Sequence, residues 1–325
     1  MLNFSVPAEV AGKAFSGLKL ARKGRNIALF QTIERNSHMS SVRWRSLLFA
    51  PADNADRSAK AARAGADAVI LDLEDSVGTY AKPIARAYLT EAADLVRTAG
   101  SAVVVRINAD WKLAVEDIKA ALAAGADAVM VPKVEDVSRL QTLSEFIESC
   151  DPGGACRLIA LVESPRGILA LPSIAGFPGL IGLALGTEDF SLALGVQPSG
   201  SALDLPSRQM ALAAGAYGVM ALAVPISIAQ FRDTDAYMAA AQAGAAYGVT
   251  GAICIHPAQV KVANACFGVT SEQLGEAHRI MVAWQDAAVR GLSVTSLDGM
   301  MIDLPVAERA RQMIARCPTA QTEAG

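Results

Sequence analysis

Carboxylates that follow short apolar runs of the chain have the type and spacing of ligands for a divalent cation. Glu163 follows the run Leu158–Val162, and Glu188 and Asp189 follow the run Ile181–Leu185. Hard cations such as Mg²⁺ or Mn²⁺ take oxygen ligands, commonly one or two carboxylates, and leave their other positions to water and substrate. The chain has 3 histidines, which disfavours a histidine-rich zinc or iron site. These residues predict a magnesium or manganese site formed by Glu163 and one of Glu188 or Asp189.

A second charged group combines three acids with an arginine. Asp72, Glu74 and Asp75 lie together at the end of another apolar run, and acids this close repel one another unless a cation lies near them. Arg106 also ends an apolar run, and a buried guanidinium needs a carboxylate partner. That partner is either Glu74 or Asp75 in a structural ion pair, or the carboxylate of a substrate. For Asp75 alone, helix capping in a surface turn is a further alternative.

Lys133 adds a cation to these run ends. It follows the apolar run that ends at Val131, and a lysine in this position could form a Schiff base with a carbonyl substrate, as in class I aldolases. The neighbouring carboxylates favour the protonated amine. An ion-pair role is therefore the preferred interpretation of Lys133.

Eight short apolar runs supply these polar ends. The runs are Ser46–Pro51, Ala68–Asp72, Ala102–Ile107, Ala128–Val131, Leu158–Val162, Ile181–Leu185, Gly218–Ala223 and Gly251–Ile255. They are rich in Val, Ile and Leu, as parallel strands buried on both faces are, and Ala- and Leu-rich stretches with helical spacing separate them. The pattern predicts an α/β fold, a (β/α)8 TIM barrel with a C-terminal helical extension, whose catalytic groups lie at the carboxyl ends of the strands. A doubly wound sheet uses the same alternation and is the alternative.

Glycine marks the joints between the predicted helices and strands. Similar segments recur around Gly65, Gly125, Gly215 and Gly244, each followed closely by an apolar run. Glycine takes the left-handed conformation that ends many helices without steric cost. We therefore expect a helix to stop at each of these four glycines.

Composition narrows the class of protein. Hydrophobic residues make up 52% of the chain and the net charge is −3, which does not favour nucleic acid as a partner. No apolar stretch reaches the roughly 18 residues that span a bilayer, so no membrane partner is expected. The 5 cysteines have no CxxC spacing and are interpreted as reduced thiols of a cytoplasmic protein. Residues 1–40 are predicted to be a poorly structured extension, residues 41–257 the barrel, and residues 258–325 a helical segment that contributes to an oligomer and to a neighbouring active site.

Several motifs, in order along the chain, carry a resemblance to a known family. They are Arg45–Pro51, Ala66–Val77, Val105–Asn108, Val131–Glu135, Gly186–Asp189, Ile255–Gln259 and Asp298–Pro305. Together they resemble the citrate lyase beta-subunit family, part of the wider HpcH/HpaI aldolase group, which includes malyl-CoA and citramalyl-CoA lyases. The resemblance runs from about residue 43 to residue 310.

The resemblance implies roles for the acidic residues. In such a protein, Glu163 and Asp189 would ligate Mg²⁺, with Mn²⁺ as a possible substitute. Glu74 and Asp75 would lie close by and hold the water ligands of the ion or the ammonium group of Lys133.

The resemblance also implies how the substrate is bound. Arg106 would bind the carboxylate of the keto acid or hydroxy acid, and backbone near Gly186 would help to seat it. Arg45 belongs to a first-strand motif associated with the thioester end. Asp303 would enter from a neighbouring subunit as a catalytic acid or base, which implies a homo-oligomer, a trimer or a hexamer. From local sequence alone, Asp303 is also interpretable as the N-cap of the last helix.

The implied activity is that of a Mg²⁺-dependent carbon–carbon lyase. It would cleave a 3-hydroxy-dicarboxylic acyl thioester, such as malyl-, citramalyl- or citryl-CoA, into a keto acid and an acyl-CoA. Its partners would be a CoA thioester and a small keto acid. The alternatives are an acyl-CoA thioesterase acting on the same substrates and a non-catalytic subunit that binds a keto acid or an acyl carrier. One departure from the family pattern is the segment Met220–Pro225, which has no acid or base where the family often has an aspartate.

Overall fold

The computed structural model describes residues 42–317 of the 325-residue chain. Eight parallel strands in this part form the barrel. They are β1 (Ser46–Pro51), β2 (Ala68–Asp72), β3 (Ala102–Arg106), β4 (Ala128–Val131), β5 (Arg157–Val162), β6 (Leu180–Leu185), β7 (Met220–Leu222) and β8 (Ala252–Cys254). The predicted extension, residues 1–40, lies outside the described residues.

The strands follow one another around the sheet, and the sheet closes. Strand β1 pairs with both β2 and β8, and a parallel bridge between Leu222 and Gly251 joins the β7 and β8 ends. The backbone at Gly251 comes so close to the chain before β1 that an added Cβ would lie 2.4 Å from the Trp44 carbonyl oxygen. The predicted (β/α)8 barrel is confirmed, and the doubly wound alternative is wrong because its sheet would be open.

Twelve α-helices connect and follow the strands in the described residues 42–317. They are α1 (Ala55–Ala62), α2 (Lys82–Thr98), α3 (Trp111–Ala123), α4 (Val137–Cys150), α5 (Pro165–Leu169), α6 (Leu171–Ala175), α7 (Thr187–Leu194), α8 (Gly200–Tyr217), α9 (Thr234–Tyr247), α10 (Pro257–Phe267), α11 (Ser271–Val289) and α12 (Leu304–Ala315). A short 3-10 turn, Thr79–Ala81, precedes α2. None of these helices combines the length and the apolar character needed to cross a membrane.

The strands bury both faces, as their continuous apolar sequences predict. Alternate residues such as Leu47, Ile70 and Met130 fill the interior of the barrel, whereas their neighbours, such as Val69 and Val129, pack in the layer beneath the helices. Burying one large aliphatic side chain contributes about 1.5–3 kcal/mol. Two apolar layers therefore hold the strand ends in place.

Two of the four glycines predicted to end helices lie inside helices instead. Gly65 and Gly125 have positive φ angles of 73° and 66°; Gly125 directly follows the C-cap of α3, as expected, and Gly65 lies three residues beyond the end of α1 at Ala62. Gly215 lies inside α8, which ends at Gly218 (φ 71°), and Gly244 lies inside α9. The prediction is wrong for these two because a second glycine follows a few residues later and supplies the left-handed position.

The C-terminal segment has a small core of its own. Helix α10 packs against β1 and β8 and completes the barrel, so the predicted boundary at residue 257 falls at the first residue of the last barrel helix. Helices α11 and α12 pack together around a hairpin of β9 (Thr295–Leu297) and β10 (Met300–Ile302). The hairpin turns at Asp298 and Gly299, whose φ angles of 50° and 80° are those of the type I′ turn that Asp-Gly favours.

Candidate active site

The carboxyl ends of five neighbouring strands, β2 to β6, carry most of the predicted site residues. Glu74 and Asp75 follow β2, Arg106 ends β3, Lys133 follows β4, Glu163 follows β5, and Gly186 and Asp189 follow β6. Because the strands are parallel and consecutive in the sheet, these ends meet at one mouth of the barrel.

Arg106 is held by acids of the strand next to it. Its Nε and Nη2 atoms each donate a hydrogen bond of 2.7 Å to Asp72. Its Nη1 lies 3.2 Å from Glu74 Oε2 and 3.4 Å from Asp75 Oδ2. Although burial alone raises the pKa of Asp72, the hydrogen bonds and charge of Arg106 hold that pKa below its ordinary value. The predicted structural contacts with Glu74 and Asp75 are present, but the main partner, Asp72, was not assigned to Arg106 from sequence.

Gly186 makes room for Glu163. A Cβ added at Gly186 would lie 2.7 Å from Glu163 Oε1 and 2.6 Å from Glu163 Cγ, so a larger residue would displace the carboxylate. The Gly186 N–H donates to the Val162 carbonyl. The Lys133 N–H donates to Glu163 Oε2 over 2.9 Å, and Lys133 adopts φ 56° to do so. Two backbone features therefore position this one carboxylate.

Two carboxyls of the mouth have unusual proton affinities. Burial raises the pKa of Glu163 to about 7, and the negative charge of Asp189 adds to the rise. Burial also raises the pKa of Glu74 to about 7, against the opposing charge of Arg106. In both cases the loss of hydration on burial outweighs the neighbouring positive charges of Arg106 and Lys133. A cation at this mouth would stabilise the ionised form.

The structure distinguishes Glu188 from Asp189. Glu188 Oε1 accepts hydrogen bonds from Ser227 Oγ at 2.6 Å and Thr187 Oγ1 at 3.3 Å. Asp189 lies half-buried in the first turn of α7, close enough to Glu163 for its charge to affect that carboxyl. Of the two acids left open by the sequence, Asp189 is the one available beside Glu163.

A divalent cation fits the donors at this mouth. Within residues 42–317, no group of three or more His, Cys, Asp or Glu side chains is arranged to hold a metal. Glu163 and Asp189 lie close enough for their charges to interact. Glu74 Oε2 is buried and makes no hydrogen bond to any described residue. An ion held by two carboxylates, with water and substrate in its other positions, is the usual arrangement for Mg²⁺.

Lys82 supports the acidic loop and was missed from sequence. Its Nζ donates to the carbonyls of Leu73 and Glu74, both at 2.9 Å, and to Asn108 Oδ1 at 2.6 Å. Asn108 in turn donates to the fully buried Asp117. Lysine is rarely buried, so a surface position was the default expectation for Lys82. No motif around it in the sequence indicates this role.

We expect Lys82→Met to destabilise the fold. The substitution removes one donor from each of three buried acceptors. The Leu73 carbonyl keeps the Asn108 amide and the Glu74 carbonyl keeps the Val77 N–H, so Asn108 Oδ1 is the acceptor left unsatisfied, at a cost of about 1–3 kcal/mol. The free energy of unfolding measured in urea should fall by about that amount. Lys60→Met, at the exposed end of α1, is the control and should change it by less than about 0.5 kcal/mol. A similar small change for Lys82→Met would contradict the supporting role.

Arg45 lies away from the mouth. It directly precedes β1, at the amino end of the barrel, and its Nε and Nη2 atoms bind Asp67 at 2.9 and 2.7 Å. Asp67 likewise precedes β2. The structure therefore does not bring Arg45 together with the other predicted substrate-binding residues.

Asp303 lies on the C-terminal segment, between β10 and α12. Its Oδ1 accepts a hydrogen bond from the Val306 N–H at 3.1 Å, so the N-cap interpretation is confirmed. The cap occupies one carboxylate oxygen. Asp303 follows an exposed apolar stretch in which Met300 and Met301 are 46% and 61% exposed.

The β7 end contributes hydrogen bonds but no charge. Beyond this strand, Ser227 binds Glu188, and the Ile228 N–H donates to Thr187 Oγ1 at 3.1 Å. His256, after β8, caps α10 through Nδ1, which accepts from the Ala258 N–H. Neither strand end adds an acid to the mouth, so the charged half of the site is formed by β2 to β6.

The protein is a closed (β/α)8 barrel with carboxylates and a buried arginine at the carboxyl ends of its strands. Enzymes with this fold have their active sites at that end of the barrel. Residues 45–257 match the model of the HpcH/HpaI aldolase/citrate lyase family, and the chain belongs to that family. The resemblance seen in the sequence motifs is confirmed.

Curated relatives and solved structures agree with this assignment. The chain is 35% identical to a citrate lyase subunit beta-like protein of Deinococcus radiodurans, over 83% of this chain and 96% of that one. It is 31% identical to a (3S)-malyl-CoA thioesterase of Cereibacter sphaeroides, over 84% and 94%. A crystal structure of CitE from Mycobacterium tuberculosis in complex with magnesium, acetoacetate and coenzyme A matches with a TM-score of 0.66 and 30% identity, covering 86% of this chain and 100% of that chain.

Proposed function

We propose that this protein is a Mg²⁺-dependent carbon–carbon lyase that cleaves a 3-hydroxy-dicarboxylic acyl-CoA thioester into a keto acid and an acyl-CoA. The observation that carries the proposal is the buried Glu163, fitted against Gly186 and beside Asp189, at the same mouth as Arg106. The magnesium, acetoacetate and coenzyme A bound to the mycobacterial relative support the same class of ligands for this chain.

Glu163 and Asp189 are proposed to hold the ion, and Glu74 to accept a hydrogen bond from one of its water ligands. The bound ion would supply Lewis acidity, which lowers the pKa of a substrate hydroxyl and polarises the carbonyl that forms from it. Glu74 Oε2, which is buried and contacts Arg106 Nη1 at 3.2 Å without a hydrogen bond, supports this assignment. Lys133, whose charge is felt by both Glu163 and Glu74, is proposed to balance the negative charge of the mouth.

Arg106 is proposed to bind a substrate carboxylate through Nη1. Its other donors are already fixed by Asp72, so the guanidinium plane is held before substrate arrives, which lowers the entropic cost of binding. Nη1 faces the weaker contacts with Glu74 and the exposed Asp75. A substrate carboxylate would replace the Asp75 contact with a stronger charge-assisted hydrogen bond.

Asp303 of a neighbouring subunit is proposed to complete the reaction. The substrate hydroxyl loses its proton, the carbon–carbon bond breaks, and its electron pair forms the enolate of the thioester. A proton from Asp303 then converts the enolate to the acyl-CoA, and the proton released by the hydroxyl restores Asp303 through solvent. The exposed Met300 and Met301 beside Asp303 support a contact with another copy of the chain, because exposed apolar patches mark interaction surfaces.

The products separate this proposal from its alternatives. With malyl-CoA and Mg²⁺, we expect acetyl-CoA and glyoxylate, and we expect EDTA to abolish their formation because ion and substrate share the mouth. Free CoA with intact malate would instead indicate a thioesterase, the activity in the name of the Cereibacter relative. Binding of a keto acid without turnover of malyl-, citramalyl- or citryl-CoA would favour a non-catalytic subunit. Activity unchanged by EDTA would contradict the metal-dependent mechanism.

A further inference from the structure

A cavity of about 690 Å³ lies at the amino end of the barrel, opposite the end that carries Glu163. Its walls include Arg43 and Arg45 before β1 and Thr250 before β8, which are the amino ends of the strands. The C-terminal helical segment closes the other side with Phe267 at the end of α10 and Arg316 after α12. The cavity therefore lies between the barrel and the C-terminal helices and is separate from the proposed active site.

The lining of this cavity has more positive than negative charge. It contains three arginines and one acid, Asp67. Asp67 is bound by Arg45 through two side-chain hydrogen bonds. Within residues 42–317, neither Arg43 nor Arg316 forms a salt bridge of 4.0 Å or less. Two guanidinium groups are left to face the cavity without an acidic partner.

The positive charge of Arg316 acts on the half-buried guanidinium group of Arg43. Arg43 is half-buried, and burial lowers its pKa, with a further lowering by the positive charge of Arg316. Like charges brought together in a partly desolvated space are unfavourable. An anion placed between them would remove the repulsion and supply the hydrogen-bond acceptors that a guanidinium needs.

We propose that this cavity binds the phosphate group of a small organic phosphate. A phosphate dianion accepts paired hydrogen bonds from guanidinium groups, and its charge balances the two positive charges of Arg43 and Arg316. Phe267 and Met313 give the same cavity an apolar wall, which suits the organic part of the ligand. The volume of about 690 Å³ lies in the range of small-molecule sites.

The site connects two parts of the protein. Arg43 leads into the first barrel strand, whereas Arg316 follows α12, the helix that begins at Asp303. A ligand held by both arginines binds only when α12 is packed against the barrel. Binding is therefore expected to raise the melting temperature, as any ligand specific for the folded state does.

Calorimetric titration of the full chain with pyrophosphate and with ADP, both in EDTA, tests the proposal. We expect binding of one ligand per chain, tighter for ADP than for pyrophosphate because of the apolar wall. Arg43→Gln and Arg316→Gln should each weaken binding of both probes at least tenfold, and the double substitution should abolish it. Arg290→Gln, an exposed arginine whose Nε binds the carbonyl of Asp286, is the matched control and should leave binding unchanged.

The same titration separates this site from the barrel mouth. Glu163→Gln should leave the binding of both probes unchanged, whether or not the proposed lyase activity is confirmed. Binding that survives the double arginine substitution, or that is lost with Glu163→Gln, would overturn the proposal. Absence of binding by the folded wild-type chain, judged by its circular dichroism, would also overturn it. Equal affinities for pyrophosphate and ADP would overturn the part assigned to Phe267 and Met313.

Discussion

Glu163→Gln is expected to reduce the proposed lyase activity at least about 10³-fold, because metal-based charge stabilisation contributes several kcal/mol to the transition state and about 4 kcal/mol corresponds to that factor. The substitution keeps the shape of the side chain, and the glutamine oxygen can still accept the Lys133 N–H. What changes is the charge available to a cation. The loss should therefore appear in kcat and in the affinity for Mg²⁺, measured by titration calorimetry.

The fold should tolerate this change. Burial already raises the pKa of Glu163 to about 7, so the neutral form is compatible with its surroundings, and an amide also removes repulsion from Asp189. We expect the melting temperature without metal to stay the same or to rise. A fall of many degrees would indicate that lost activity reflects unfolding.

Glu188→Gln is the matched control for the metal site. It makes the same chemical change on α7, one residue from Asp189, at a carboxyl that is already bound by Ser227 and Thr187. Affinity for Mg²⁺ should change by less than about tenfold, the lower end of the effect of residues that support metal ligands. If Glu188→Gln removes Mg²⁺ binding while Asp189→Asn does not, the proposed metal pair is wrong.

The second large effect is expected at Asp303. Asp303→Asn should lower kcat by about 10²–10⁴-fold, the usual contribution of a positioned acid or base. Asparagine is as good an N-cap as aspartate, so its side-chain oxygen can still accept the Val306 N–H that Asp303 binds, and stability should be preserved. Asp303→Ala should cost about 1 kcal/mol of stability in addition, because the cap is lost. Full turnover by Asp303→Asn would contradict a catalytic role.

Mixing two inactive variants tests whether Asp303 acts across a subunit interface. A site needs Glu163 from one chain and Asp303 from another, so chains carrying Asp303→Asn and chains carrying Glu163→Gln can form intact sites together. After unfolding and joint refolding in equal amounts, random assembly gives about one quarter of the sites both intact residues. We expect about one quarter of wild-type activity from the mixture, although each variant alone is nearly inactive. No recovery in a refolded, oligomeric mixture would place both residues in the same chain's site.

Several features of the site were predictable because they depend on position in a strand. Glu163, Arg106 and Glu74 lie at or just beyond run ends, and a parallel barrel brings all such ends to one mouth. The family motifs then indicated which residues to expect there. Neither inference required any knowledge of side-chain packing.

Other features depend on which side chains meet across the barrel. Residue type and spacing left Glu188 and Asp189 equivalent; the family resemblance selected Asp189, and the hydrogen bond from Ser227 to Glu188 agrees with that choice. Arg45 ends up at the amino end of the barrel because it precedes its strand, although its motif was associated with substrate. The buried Lys82 beneath the acidic loop has no pattern in the sequence that could have revealed it.

The sequence by itself determined the number and order of the strands, the family and the mouth at which acids and Arg106 gather. These follow from apolar periodicity and local motifs, which are written in residues close together along the chain. The tertiary structure decided the pairings: Asp72 with Arg106, Gly186 against Glu163, and Lys82 under Glu74. These contacts join residues far apart in sequence, and their geometry depends on strand register and close packing, which local pattern does not encode.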